Sequence, residues 1–403
     1  MFDNLFNQSA KELLSQDIKN NCLPSSILLS GPEYSGKLTC ALELARVLSC
    51  KGNSKVQKGA WNCDCSSCKK NKELTSTNLV LSGSKDCLLE ILACKNVFLK
   101  AAYNNSNYLL ASRFLFLRAV RKLTLRFSPV LWEGDDKESK ISPFLEEINE
   151  NLEILSPDNP LPENEKIEEI IQKILTACSK LQTSFLYDSL PVEQIRRASF
   201  WAHLKSTDEK KILIFENCEK MNESSRNALL KILEEPPLNT NFILTTKYKS
   251  SVMPTILSRV RNYTFIERDE KCQSDVIEQI FHTDAFDFDG SIKNYLLSFL
   301  PVSLKQIDNL AQEFYEGVKE GHLISIDGIV KQANSFEPST LFKLFLQSLA
   351  KIQNQFCSSE MSFENLNAIK DCFNAVSIYN LKPLAALEKL FRDFSSIKRK
   401  YWG

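Results

Sequence analysis

Ser26-Ile27-Leu28-Leu29-Ser30 runs directly into Gly31-Pro32-Glu33-Tyr34-Ser35-Gly36-Lys37-Leu38-Thr39, and the reading of this stretch decides the fold. A short apolar run ending at a glycine turn predicts a buried strand. Ala41, Leu42, Leu44, Ala45 and Leu48 predict an apolar helix after the turn. Strand, glycine loop and helix form the context in which the pattern G-x-x-x-x-G-K-[ST] cradles phosphate. Backbone N–H groups close around the anion, the lysine reaches the terminal phosphates, and the next hydroxyl holds Mg²⁺. Gly31, Gly36 and Lys37 satisfy that pattern, but the hydroxyl position is Leu38. Thr39 comes one residue late, about 100° further around a helix. The stretch therefore predicts a loop that can hold ATP or ADP through Gly31, Gly36, Lys37 and Thr39 while coordinating Mg²⁺ poorly.

The other half of an NTPase site is an apolar strand ending in acidic residues, and Lys211-Ile212-Leu213-Ile214-Phe215-Glu216-Asn217 is the best candidate. One carboxylate has to order the metal and a second has to polarise water. Glu216 can serve the first role, but Asn217 cannot accept a proton in the second. An ordinary buried strand is the competing reading of Glu216. Two independent departures, at Leu38 and Asn217, argue against turnover.

Further along stand Asn227-Ala228-Leu229-Leu230-Lys231-Ile232-Leu233-Glu234-Glu235-Pro236-Pro237, then Phe242-Ile243-Leu244-Thr245-Thr246, then Pro254-Thr255-Ile256-Leu257-Ser258-Arg259. In order and spacing these segments resemble the clamp-loader branch of the AAA+ ATPases. Within it they resemble the delta-prime type of the bacterial DNA polymerase III clamp loader, with the gamma/tau type as near relative. The gamma/tau type keeps Gly-Lys-Thr and an Asp-Glu pair where this chain has Gly-Lys-Leu and Glu-Asn. The resemblance implies an α/β AAA+ P-loop domain with a doubly wound parallel sheet, then a helical lid and a helical collar. It also implies that Arg259 is an arginine finger, a guanidinium offered to the ATP site of a neighbouring subunit, where it stabilises charge on the transferred phosphoryl group. Val260 stands where the family has Cys. The implied partners are gamma/tau-type and delta-type subunits, the sliding clamp, and primer-template DNA reached through the assembly. Lys305 stands where active relatives often present a second nucleotide-sensing arginine.

Cys50, Cys63, Cys65 and Cys68 follow the loop's helix, with Trp61 beside them. Four thiolates suit tetrahedral Zn²⁺ in a closed structural site. The family's segment usually ends C-x₂-C-x₂-C; here it reads C-x-C-x₂-C, which displaces Cys63 by one and requires a loop adjustment. Unliganded reduced cysteines are the alternative. The 13 cysteines form no repeated framework, the N-terminus has no signal-peptide pattern, and no stretch is apolar enough to span a bilayer. A cytoplasmic protein without membrane contact is expected.

The 403 residues are 43% hydrophobic with only 11 Gly, enough for several well-packed cores. Lys+Arg and Asp+Glu are each 50, so no global basic field advertises nucleic acid. The family frame would resume soon after Asn78-Leu79-Val80-Leu81, yet its Ile-Arg helix arrives only at Glu193-Gln194-Ile195-Arg196. We therefore expect the AAA+ domain at residues 1–86 and 188–265, interrupted by a helical insertion at 87–187. A lid at 266–325 and a collar at 326–403 follow. Within the insertion, Tyr108 to Leu123 has helical apolar spacing with Arg113, Arg118, Arg121 and Lys122 interspersed. That pattern predicts a solvated basic face, with phosphate contact as the other use.

Two functional readings follow. In the first the chain is an interaction subunit of the clamp loader, with its own ATPase absent or weak, accessory to the DNA polymerase holoenzyme. In the second it is an ATP-hydrolysing motor of gamma/tau type. A nucleotide-binding protein outside replication is a weaker third.

Overall fold

The apolar run Ser26–Ser30 forms strand β1, and it lies inside a five-stranded sheet rather than at its edge. The other strands are β2 (Leu79–Ser82), β3 (Lys211–Phe215), β4 (Thr240–Thr246) and β5 (Arg261–Thr264). The computed structural model describes residues 1–52, 56–83, 87–187, 189–204, 210–321, 325–377, 379 and 381–402. The expected boundary positions 86 and 188 lie outside the described residues. All pairings are parallel, in the order β2-β3-β4-β1-β5. Every residue of β1 to β4 is buried. That is the signature of a parallel sheet covered by helices on both faces, and it explains why these strands read as continuous apolar runs. The edge strand β5 buries only Tyr263 fully. There the Tyr263 hydroxyl donates to Asp17 Oδ2 at 2.5 Å, and Arg261 pairs with the same carboxylate at 2.9 Å.

The first compact unit spans Met1–Tyr295. Its core joins Ile27 and Leu29 of β1 to Phe2, Leu5 and Leu14 from the N-terminal segment and to Ala41, Leu42 and Leu44 from helix Lys37–Ser49. Gln8 straps that segment to the exit of β5, its side chain donating to Ile266 O at 2.9 Å and accepting from Ile266 N at 3.0 Å. The fold is the expected doubly wound α/β sheet of an AAA+ P-loop domain.

Residues 87–187 are helical: Leu88–Tyr103 packs on Leu109–Thr124, and Glu138–Ile154 packs on Asn164–Ser184. The two ends of this excursion are tied together, because Gln182 Oε1 accepts the amides of Cys87 and Leu88 at 2.9 and 3.2 Å. The expected solvated basic face is not there. Arg113 is buried and donates to Leu155 O at 2.6 Å, to Asn159 O at 2.8 Å and to Ser156 O. Arg118 donates to Lys72 O and Arg121 to Glu73 O, capping the last carbonyls of helix Ser66–Glu73. Cations at a helix C-terminus satisfy orphan carbonyls and oppose the helix dipole. Lys122 pairs with Glu90. The basic residues turn inward because the protein supplies acceptors there.

The second unit, Leu296–Gly403, is helical, with helices Leu304–Glu320, Ile326–Gln332, Ser339–Phe356, Ser359–Ser377 and Pro383–Trp402. Ser303 caps the first of them, its hydroxyl accepting from Gln306 N. Phe314 sits at the centre, edge-on to Phe345 at 5.8 Å and to Phe391 at 5.6 Å. Lys305 is exposed at the start of Leu304–Glu320. Helix Ser359–Ser377 leaves Phe363, Leu366 and Phe373 in solvent, Phe363 at 67% exposure. No helix among the described residues is long and apolar enough to cross a membrane.

Candidate functional site

Strand β1 delivers its last residue to Gly31, whose amide donates to Thr246 O at 3.1 Å, and the chain turns through residues 32–35 into helix Lys37–Ser49. Gly36 makes this entry possible. Its φ of 93° is the left-handed region, and a Cβ there would lie 3.0 Å from both Arg268 Nη2 and Leu5 Cδ1. Arg268, just beyond β5, closes over the loop by donating to Tyr34 O and, at 3.2 Å, to Phe6 O.

Lys37 is folded back onto the loop. Its ammonium donates to Gly31 O at 2.6 Å, to Pro32 O, and to Ser35 Oγ at 3.3 Å. Burial lowers its pKa to about 8, against the attraction of Glu219 and Glu216. At the loop's outer rim Glu33 pairs with Lys247. Leu38 packs against the core, so no oxygen stands at the metal-ligand position, and Thr39 is half-buried on the next step of the helix.

At the end of β3, Glu216 is held by Arg126, a residue of the insertion's short turn Leu125–Phe127. The two side chains are 12% and 4% exposed. Asn217 adopts a left-handed conformation with φ 50°, and its amide donates to Thr245 Oγ1 at 3.2 Å. The residues that would bind Mg²⁺ thus do not fit it. The hydroxyl is replaced by a half-buried leucine, the acidic residue has a guanidinium on it, and the second acid is an amide. An anion at the loop would meet a helix N-terminus but would have to draw Lys37 off the carbonyls of Gly31 and Pro32.

At the other end of the same helix the four cysteines converge. Sγ atoms of Cys50, Cys63, Cys65 and Cys68 all lie within 4.8 Å of one another, and Cys50 and Cys63 are 3.7 Å apart. Tetrahedral Zn–S bonds of about 2.3 Å place sulfurs about 3.8 Å apart, so the cluster could hold a metal ion as it stands. The displaced Cys63 is inside the set, because the loop absorbs the one-residue shift. Hydrogen bonds point at the sulfurs: the amides of Gly52 and Gly59 donate to Cys50 at 3.3 and 3.2 Å, and Arg46 donates to Cys68 at 3.2 Å. Burial raises the Cys65 thiol, but amide donors from Cys68 and Lys51 outweigh it and bring the pKa down to about 6. Arg46 is itself fixed by Glu43 at 2.6 and 2.9 Å and by the carbonyls of Gly59 and Ala60. Trp61 lies between Arg46 and Lys72, at 5.5 and 5.2 Å from its ring. These outer contacts orient the ligands, as second-layer groups do in metal sites.

Arg259 follows the short helix Pro254–Leu257 at the surface. Its guanidinium donates to Glu234 Oε1 at 2.6 Å, to Thr255 O at 2.8 Å and to Ser258 Oγ at 3.1 Å. The pair is open to solvent, with side-chain exposures of 31% for Arg259 and 50% for Glu234. Nothing in the sequence announces Arg126, Arg268 or Glu234 as neighbours of these sites. The basic stretch ending at Lys122 was the nearest signal for Arg126.

A P-loop domain with a parallel sheet of this order and a cysteine cluster beside the loop's helix is the arrangement that the resemblance to clamp-loader AAA+ proteins implies. The sequence profile of the family described as DNA polymerase III, delta subunit, matches residues 6–127 and 133–269. That is more than half of the chain, and the chain belongs to this family. Among its relatives, an uncharacterized protein MG007 homolog of Mycoplasma pneumoniae is 38% identical over 55 residues, 14% of this chain and 22% of that protein. A DNA polymerase III subunit gamma/tau of Mycobacterium bovis is 36% identical over 72 residues, 18% of this chain and 12% of that protein. Replication factor C subunit 3 of Blastobotrys adeninivorans is 22% identical over 131 residues, 32% of this chain and 39% of that protein. The matched stretches thus span well under half the length of each relative.

Proposed function

We propose that the chain is a delta-prime-type subunit of a DNA polymerase III clamp loader, a rigid member that helps load the sliding clamp during replication. It hydrolyses no ATP itself and lends Arg259 to a neighbouring ATPase subunit. In this reading gamma/tau-type and delta-type subunits are its partners, and the clamp and primer-template DNA are met through the assembly. Residues 266–325 act as the lid and 326–403 as the collar. The exposed row of Phe363, Leu366 and Phe373 supports a docking role for the collar, since apolar surface of this kind marks contact sites. Zn²⁺ on Cys50, Cys63, Cys65 and Cys68 holds the segment after the loop's helix as a closed structural site.

The observation that carries the reading is the pairing of Glu216 with Arg126, while Leu38, half-buried against the core, offers no oxygen. With both metal contacts gone, γ-phosphoryl transfer has no cation to neutralise it. Arg259 remains available: an exposed ion pair such as its contact with Glu234 contributes about 0–1 kcal/mol, so exchanging it for a neighbour's phosphate costs little. The gamma/tau-type motor is the second reading, favoured by the intact Gly31, Gly36 and Lys37 and by the gamma/tau match. A steady-state ATPase assay of the isolated chain separates the two. We expect no turnover above background; turnover abolished by Lys37→Ala would establish the motor. Co-purification with gamma/tau-type and delta-type subunits tests the assembly.

A further inference from the structure

The pairing at the end of β3 is built from three parts of the chain. Glu216 leaves β3 with its amide donating to Ser82 O of β2 at 2.9 Å. The next residue of the β2 strand's exit is Gly83, where a Cβ would lie 2.0 Å from Glu216 Oε2. The glycine therefore makes the room in which the carboxylate sits. Arg126 comes from the insertion, and its backbone is fixed independently of the ion pair. Trp132 Nε1 donates to Arg126 O at 2.8 Å, and the Trp132 ring stacks on Phe127 at 5.5 Å and on Tyr187 at 5.8 Å. Arg126 Nη1 returns to Lys122 O. A guanidinium placed this way is pre-organised against the carboxylate rather than drawn to it from solvent.

We infer that Arg126 is a built-in counter-ion that takes the place of the divalent cation at Glu216, so that neither Mg²⁺ nor Mn²⁺ enters this site, with or without nucleotide. The reasoning is one of exchange. A divalent ion binding Glu216 has to expel a guanidinium that is only 4% exposed and leave it without this partner, and leaving one member of such a pair unmatched is the costly outcome. Leu38 supplies no ligand to offset that cost. The insertion thereby acquires a role in the phosphate site. It shares the Glu216–Arg126 pair with the clamp-loader reading but involves no partner subunit, so the metal response of the isolated chain tests it apart from assembly.

Thermal unfolding of the full-length, zinc-loaded chain tests this, with MgCl2 or MnCl2 titrated at constant ionic strength in the presence and absence of ADP. The wild-type Tm is expected to be indifferent to either cation. Arg126→Gln is expected to lower Tm by about 4–8 °C, the effect of leaving a largely buried charge unpaired in a unit of this size. It should also make Tm rise with Mn²⁺, and this response should vanish in Arg126→Gln/Glu216→Gln, which should be more stable than Arg126→Gln alone. A wild-type Tm that rises with Mn²⁺ and loses the rise in Glu216→Gln would overturn the inference. So would an Arg126→Gln chain no less stable than the double variant. If Arg126→Gln does not fold, water-proton relaxation during Mn²⁺ titration of wild type and Glu216→Gln decides the matter. Identical curves support a metal-free site, and a binding step seen only in wild type refutes it.

Discussion

Helix Lys37–Ser49 carries a candidate ion site at each end, and the two ends differ in how their charges are answered. At the N-terminal end the protein answers its own charges: Lys37 lies on loop carbonyls, Glu216 on Arg126, and Glu33 on Lys247. At the C-terminal end four sulfurs face one another and are surrounded by hydrogen-bond donors, Gly52, Gly59 and Arg46. These donors can stabilise thiolates, but Arg46, the one cation among them, is shared with Glu43 at 2.6 Å. The lesson is that a site's demand for an ion is read from the group that balances it rather than from the presence of ligand-type residues. Glu216 is a ligand-type residue already in use.

The sharpest way to break this comparison is to test the four-cysteine end for the Zn²⁺ proposed there. Cys68→Ser, or exhaustive chelation of the wild type, should release about one Zn²⁺ per chain and lower Tm by more than about 10 °C, because structural zinc contributes folding energy outright. Metal analysis beside calorimetry checks it, and an unchanged Tm in a zinc-free chain would remove the site. A smaller effect is expected at Gly83. Gly83→Ala drives a methyl group into the Glu216 carboxylate, and overpacking of this kind costs about 1–3 kcal/mol, or roughly 2–5 °C in Tm.

Proton linkage sharpens the other end. Burial holds Lys37 at about pKa 8, whereas an unfolded lysine titrates near 10.4. Between about pH 8 and 10 the unfolded chain binds the extra proton, so the Lys37 contribution to stability rises with pH there and is flat below about 8. Urea unfolding at pH 7.5 and 9.5 should show this rise in wild type relative to Lys37→Met, and parallel behaviour of the two chains would show that Lys37 is not desolvated. The smallest effect on the isolated chain belongs to Arg259→Ala, about 0–1 kcal/mol. In an assembled clamp loader the same change should cut the DNA- and clamp-stimulated ATPase, since an arginine finger contributes about 10³-fold or more at the site it serves. Arg259→Lys should not restore it, because an ammonium lacks the planar fork. Unchanged ATPase in a complex shown to contain the variant would leave Arg259 as the partner of Glu234 alone.

What could be read from the sequence was local. The apolar runs that became β1, β3 and β4, the glycine loop and the four cysteines each carry their signal within a short stretch, and the structure puts Cys63 in the cluster despite its irregular spacing. The contacts that decide the state of the loop are not local. Arg126 and Glu216 are 90 positions apart, and Arg268 reaches Tyr34 across 234. The misreading of the insertion's basic helix has a similar cause. Arg113, Arg118 and Arg121 are satisfied by backbone carbonyls, which every residue possesses, so no pattern of acidic side chains could have pointed to their acceptors.

The central position of β1 bears on how the chain is made. Ser26–Ser30 is synthesised early but pairs with Phe242–Thr246 and Arg261–Thr264, which follow more than two hundred residues later. At about 5–20 residues per second the ribosome takes on the order of 10–40 s to supply them. Through that interval an apolar strand has neither of its neighbours. The sheet is therefore completed late, and the chain's exposure to aggregation or to a chaperone is set by the waiting time of a single strand.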